Sequence, residues 1–424
     1  MDQTIPDYMA GASKAYRDIY EQYVDEASFL WMLRSIVVNQ PHYTKQDLLE
    51  LENRIEAQIE GLMTSMSEGW EACEAALKLE EAGEVFTATI VAFRSHDMEN
   101  IKKAVEVGLT NDSTYKGLIS ALGWLPDKLV GAWIERFLSG KDMNHKYLGV
   151  AACSLKRQDP GEQLLKILNR PDCQEHHKLY ARSLRLIGEL RRQDLLPALN
   201  VAMNHDDPEI KFWALWSSIL LGNKSLVKHL KPFVLTSGPF SSRAINIAFR
   251  VLPVEEARKW ISEMATKDGL NRAVIKATGI LGDPHAVNWL IGQMAKPEYA
   301  RLAAESFSMI TGIDLEQHQL SMDIPDNAPL IPNNNVDDDD VSLDEDENLP
   351  WPDVSKVVAI WRRQGQNFII GQRYFLGRPL NSELLRNKLE MGFQRQRHAA
   401  AMELALTDPE YTLVNTKGKA SARF

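Results

Sequence analysis

The sequence is poor in cysteine: Cys73, Cys153 and Cys173 are the only ones among 424 residues. A sparse, odd-numbered set cannot form a disulfide framework and has no zinc-ligand spacing. The thiols read as buried small hydrophobes in a reducing compartment. Long apolar runs are missing too. No window approaches the roughly 18 apolar residues that a membrane span needs. The opening MDQTIPDYMAGASKAYRDIY has no basic start followed by an apolar stretch. No secretory leader is therefore expected, and the expected location is cytoplasmic with no membrane partner. Positive charge is short: the formal net charge is −10. Chains that grip phosphate backbones usually carry a basic excess, so nucleic acid is not expected as the main partner. Alternating β-rich segments are absent, which argues against a mixed sheet. There is no Gly-Xaa-Ser-Xaa-Gly elbow, P-loop, dinucleotide fingerprint or kinase motif set. No catalytic residue, cofactor or metal is predicted, and the chain reads as a non-enzyme.

Helical periodicity is what the sequence does have. Ser28–Val38 is an apolar stretch that ends near Asn39 and Pro41. Thr44 stands three residues before Asp47, the spacing of a capping box. Leu48, Ile55, Ile59, Leu62 and Met66 then follow on one helical stripe. Ser67 is expected to cap a third helix that Gly83 ends.

From about 83 to 312 the chain repeats itself weakly. In NRAVIKATGILGDPHAVNWLIGQM a helix closes at Gly282, and a second helix opens after Asp283-Pro284. Gly188, Gly222, Gly282 and Gly312 are expected in corresponding turns, with Pro253 filling the slot between, at spacings of 34, 31, 29 and 30 residues. Stacked helical hairpins repeat in this way, because each pair buries its apolar face only against its neighbours. The layout resembles HEAT and HEAT-like repeats. The fold expected is all-α: a HEAT-like α-solenoid of stacked hairpins (83–323) with a helical N-terminal cap (1–82). An acidic disordered linker (324–350) and a small basic helical C-terminal module (351–424) follow.

The linker assignment rests on composition: Asp337–Glu347 holds eight acids and no base. The module after it carries twelve Lys/Arg against six acids. The acidic stretch could fold back on the basic module and mask it, since tethering gives a high effective concentration. The run Asp337–Asp340 lacks the glycine and terminal Glu of a calcium loop. His176-His177 are adjacent, so their side chains diverge by about 100° and chelate poorly; they read as a helix start. Asp353 and Asn381 are expected N-caps.

The partner-binding candidates are Trp213, Trp216, Arg373, Tyr374, Arg395 and Arg397. Trp213 and Trp216 share a helix face, either as core or as an aromatic patch on a concave surface. Arg373 and Tyr374, in GQRYFLGRPL, are residue types favoured as interface anchors; the same loop could dock Tyr374 and Phe375 onto the repeats. Arg395 and Arg397 diverge on their helix, and one of them could pin Glu403 or a backbone carbonyl.

The segments FLWMLRSIVVNQPHYTKQDLLELENRIEAQIEGL, LPWPDVSKVVAIW, GQRYFLGRPL and GFQRQRHAAAMELAL together resemble an uncharacterised bacterial family of HEAT-repeat proteins encoded near type VI secretion genes. The resemblance implies a protein-binding scaffold, a cytoplasmic adaptor or chaperone for a secreted effector or spike-tip protein. An immunity-like inhibitor of an effector is the alternative. A HEAT-like enzyme such as a DNA glycosylase would need a basic groove and an acid beside a flipped base, and the acidic total disfavours it.

Overall fold

A computed structural model describes residues 7–326, 328 and 344–421, with side chains from Arg17 onward. The described chain is all-α apart from two two-residue ladders. It divides into two compact units. One comprises the chain up to Asn39, Tyr43–Leu190 and the residues from Val414; the other comprises Gln40–His42 and Arg191–Leu413.

The first unit opens with α1 (Asp7–Val37), α2 (Lys45–Met63) and α3 (Met66–Ala76). Hairpins follow: α4 (Ala82–Ser95) with α5 (Met98–Gly108), α6 (Asp112–Trp124) with α7 (Asp127–Ser139), and α8 (Met143–Lys156) with α9 (Glu162–Asn169). The short α10 (Pro171–Glu175) leads into α11 (His177–Leu190). Helices α4, α6, α8 and α11 form one row, each packed on the next, while α5, α7 and α9 pack back on that row. This is the stacking that the repeat spacing requires, with each hairpin closing its neighbour's apolar face.

Short polar side chains start several of the helices. Thr44 and Asp47 form the expected capping box, and Asp97, Asn111 and Asp142 cap α5, α6 and α8. Each such cap contributes about 1 kcal/mol by satisfying amides that have no partner inside the helix. Ser67 is not the cap of α3, which begins one residue after Ser65. Gly83 does not end a helix either. It lies in the first turn of α4, where a Cβ would stand 2.8 Å from the Ser28 carbonyl oxygen. Its value is close approach between α1 and α4, not a turn.

The second unit runs through α12 (Leu196–Ala202), α13 (Pro208–Leu220), α14 (Lys231–Val234), α15 (Ser241–Val251), α16 (Val254–Met264), α17 (Asn271–Leu281), α18 (Val287–Met294) and α19 (Ala300–Thr311). Here α15, α17 and α19 are the successive row, with α16 and α18 packed on it. Gly222, Gly282 and Gly312 adopt the left-handed turns expected of them. Gly188 does not: it is buried inside α11, and the left-handed residue after that helix is Arg191.

Beyond the repeats, β1 (Ser321–Met322) pairs antiparallel with β2 (Trp351–Pro352). Helix α20 (Val354–Gln364) follows, then a hairpin of β3 (Tyr374–Phe375) and β4 (Arg378–Pro379), then α21 (Ser382–Met391) and α22 (Gln394–Thr407). Asp353 and Asn381 cap α20 and α21 as expected. Val357, Ile360 and Tyr374 share one core with Val287, Leu290, Phe307 and Ile310 of the repeats, and α22 packs on α13 and α15.

The acidic stretch behaves differently from the masking expectation where it is described. Asp344 pairs with Arg301, Asp346 with Arg272 at 2.7 Å, and Glu345 with Lys276 at 2.6 Å. These bases belong to α17 and α19, so the described acids pair with the repeats, while from the basic module Arg395 reaches the Glu345 main-chain carbonyl at 2.6 Å. Residues 344–350, expected within a disordered linker, are thereby anchored. Asp337–Asp340 lie outside the described residues.

Candidate protein-binding site

Each residue expected to meet a partner is engaged within the second unit. Trp213 and Trp216 are each 5% exposed. Their rings stand edge to face at 5.3 Å, Trp213 meets Phe212, and the Arg243 guanidinium lies 5.6 Å from the Trp213 ring centre. They are core and not an aromatic patch. The sequence could not separate the two because a shared helix face is common to both.

Arg373 donates to the carbonyls of Leu281 at 3.0 Å and Arg250 at 2.8 Å, where α17 and α15 end, and pairs with Glu403 of α22. Carbonyls at helix ends lack amide partners, so a guanidinium there satisfies several at once. Glu403 also faces the Arg250 guanidinium at 3.3 Å. Burial pulls Arg250 down to about 10 even with Glu403 opposing that shift. The Tyr374 amide donates to the Gly282 carbonyl at 2.7 Å. The Leu376 and Gly377 amides donate to Met309 and Ile310 at 2.7 and 3.0 Å. The loop therefore docks Tyr374 and Phe375 onto the repeat turns, as one of its two readings expected. Arg395 pairs with Glu305 at 2.7 Å and donates to the Glu345 carbonyl at 2.6 Å. Arg397, 1% exposed, donates to the Leu389 carbonyl at 2.8 Å. It is the expected pin, set on a carbonyl, while Glu403 serves Arg250 and Arg373.

In the first unit the chain holds a segment of itself in another way. Residues 415–420 are not helical and lie against α1, α2, α6 and α8. Arg34 of α1 is fixed by Glu52 of α2 at 2.7 Å and donates to the carbonyls of Gly418 at 2.7 Å and Lys417 at 3.3 Å. Both Glu52 carboxylate oxygens accept from the Ala420 amide at 2.9 Å. Glu52 is 1% exposed, so its charge is held by a guanidinium and a backbone donor and not by water. Asn415 donates to the Leu155 carbonyl at 2.9 Å, and Lys417 reaches Asn39 at 2.5 Å.

One side chain of the segment enters a formed pocket. The Lys419 ammonium sits 4.5 Å from the Trp124 ring centre and 2.5 Å from Glu56 Oε1. The Trp124 indole N–H donates to the same Glu56 oxygen at 2.8 Å, and Arg94 holds the other oxygen at 2.6 Å. Burial pushes the Glu56 carboxyl up, but Lys419 and Arg94 outweigh it and hold the group below its ordinary range. An aromatic face with a fixed carboxylate beside it is a receptor for an alkylammonium.

Sequence reasoning missed this groove. Its one local signal is Glu52 and Glu56 four apart, and therefore on one face of α2. Arg34, Trp124 and Lys419 come from distant parts of the chain and nothing local joins them.

The first unit also holds a buried charge cluster. Glu189 of α11 is fully buried; Arg185 reaches it at 2.8 Å and Arg157 at 3.3 Å, and the Ser154 hydroxyl donates to it. Arg182 donates to that hydroxyl at 2.8 Å. Burial alone would raise the carboxyl; the three guanidiniums and Ser154 instead bring it to about 2. His176 accepts from the Leu179 amide at 3.2 Å, the role of a helix start. Among the described residues no three His, Cys, Asp or Glu side chains converge as metal ligands would, and no helix is long and apolar enough to cross a membrane.

Comparison with protein-family models, curated proteins and solved structures finds no match to this chain.

Proposed function

We propose that the protein is a protein-binding helical-repeat scaffold, and that the groove between α1, α2 and α6 of the first unit receives a short, non-helical polypeptide segment. One observation carries this reading: the groove already holds such a segment, residues 415–420, largely by its main chain. Two carbonyls and one amide of the segment meet Arg34 and Glu52, and those contacts are available to any segment that takes the same turn, which the Gly418 amide closes on the Asn415 carbonyl at 3.0 Å. Stacked hairpins present surfaces of this kind because their apolar sides are closed by each other.

The narrower role, an adaptor or chaperone for a type VI secretion effector or spike-tip protein, adds a partner class to the same proposal. It rests on the sequence resemblance alone. The immunity-like alternative would use the same surface to block an effector.

A photo-crosslinking residue at Asn39, on the exposed rim of the groove, tests the proposal in cells that make the full chain. Adducts between Asn39 and a second polypeptide are expected. Adducts confined to the chain's own residues 414–421, at every expression level, would overturn it. A secretion effector in the adduct would support the narrower role, and rescue of cells from that effector's toxicity would favour the inhibitor.

A further inference from the structure

The segment in the groove is read partly through side chains: Asn415 donates to the Leu155 carbonyl, Lys417 reaches Asn39 at the rim, and Lys419 meets Glu56 and Trp124. Its carbonyls and amide go to Arg34 and Glu52, whatever residues carry them. Thr416 and Ala420 are buried, Lys417 is exposed, and only Lys419 enters a pocket that matches its chemistry. A Cβ on Gly418 would meet the segment's own Asn415, at 3.2 Å, so the small residue there belongs to the segment's turn and not to the groove wall. The groove therefore discriminates at a lysine followed by a small, buried residue.

We infer that the groove selects partner segments carrying a lysine followed by a small residue, with Glu56 and Trp124 reading the lysine, and that residues 415–420 occupy it as a competitor in cis. This rests on the scaffold reading above and names the ligand class of that same groove. One feature favours a lysine-bearing occupant over a neutral one. The electronegative face of Trp124 and the second lone pair on Glu56 Oε1 have no equal match in an uncharged side chain. The tethered segment competes at an effective concentration of about millimolar, typical of short linkers. Only a partner that binds more tightly than the segment, or that is more concentrated, displaces it.

The probe is a labelled peptide, Val-Asn-Thr-Lys-Gly-Lys-Ala-Ser, the sequence of residues 414–421. Its binding is followed by fluorescence anisotropy, beside the same peptide with alanine in place of the second lysine. The full chain should bind the lysine peptide weakly. Removal of residues 414–424 should strengthen binding at least about tenfold, as the competitor in cis is lost. Alanine in the peptide should weaken binding to the shortened chain about tenfold, the scale of a cation–π contact joined to a charged hydrogen bond. Glu56→Gln in the shortened chain should erase most of that difference.

Equal binding of the lysine and alanine peptides would overturn the lysine selectivity and leave the scaffold reading standing. A shortened chain with unchanged helicity and melting that binds neither peptide would overturn both. If the shortened chain does not fold, Lys419→Ala in the full chain replaces it, because that variant keeps the main-chain anchors and loses only the key. It should bind the lysine peptide several-fold more tightly than the parent, and equal affinity would overturn the inference.

Discussion

Glu189 gives the sharpest test of what holds the first unit together. Its carboxylate is fully buried and is the centre on which Arg157, Arg182 and Arg185 converge. Glu189→Gln keeps the volume and removes the charge. The carboxyl stands at about 2, against an ordinary value of 4.5. Each unit of such a shift corresponds to about 1.4 kcal/mol, so the ionised form contributes roughly 3 kcal/mol near neutral pH. Removing one partner of a buried charge cluster typically costs a similar amount, about 3–5 kcal/mol. For a unit of this size that is a fall in Tm of about 6–20 °C. The sign with pH follows from the direction of the shift. The folded value lies below the unfolded one, so the contribution is complete above pH 4.5 and is lost as pH falls toward about 2. Calorimetry of parent and variant from neutral to acid pH measures this, and hydrogen exchange on α8 and α11 assigns the transition to the first unit. Tm values within about a degree at pH 7, or a difference that persists unchanged down to pH 2.5, would refute the reasoning.

Three other outcomes follow from the packing. Trp213→Ala should cost about 3–5 kcal/mol as an aromatic lost from a core; a melting temperature close to the parent's would return Trp213 to the surface. Gly282→Ala combines a φ of +72° with a Cβ 2.2 Å from the Tyr374 carbonyl oxygen. The backbone term alone costs about 1–2 kcal/mol, and hydrogen exchange at the Tyr374 amide should accelerate; unchanged protection would show that the docking does not depend on that turn. Burial pushes the Cys73 and Cys153 thiols up to about 12, so alkylation at pH 8 should track unfolding, and labelling of the native chain within minutes would contradict their burial.

The sequence made the repeats legible because stacking leaves a local trace. A helix that ends in a left-handed residue favours glycine, and Gly222, Gly282 and Gly312 mark those ends. The same logic fails at Gly188 and Gly83, where glycine serves packing inside a helix and a non-glycine residue takes the turn: Arg191 and Glu80. The composition of 324–350 suggested a disordered linker whose acids, if they paired at all, would meet the basic module. Asp344, Glu345 and Asp346 nonetheless find Arg301, Lys276 and Arg272, charges that no local window connects to them. The candidate site failed for a related reason. Arginine and tryptophan are favoured at interfaces, and they are equally suited to capping exposed carbonyls or filling a core. Arg373, Arg397, Trp213 and Trp216 do the latter.

The two units hold their non-repeat segments with unequal strength, and this decides which one a partner could replace. In the second unit, release of the segment after the repeats would expose Val357, Ile360, Tyr374, Phe375, Leu384, Leu389 and Leu404, all buried. At about 1.5–3 kcal/mol for each fully buried large apolar side chain, that release is comparable with global unfolding. Release of residues 415–420 in the first unit would expose little beyond Ala420, Thr416 and the Lys419 stem. It would return a few main-chain groups to water, each worth about 1.5–3 kcal/mol because it bonds a charged side chain. The segment of the second unit is therefore an integral part of its core, whereas residues 415–420 are the ones that the scaffold proposal requires a partner to displace. Native-state hydrogen exchange separates the two: the Ala420 amide should exchange through an opening several kcal/mol below that of the Tyr374 amide, with little dependence on denaturant. Equal protection at the two amides, with the same steep dependence, would mean that the groove opens only when the unit unfolds, and displacement by a partner would then have no physical basis.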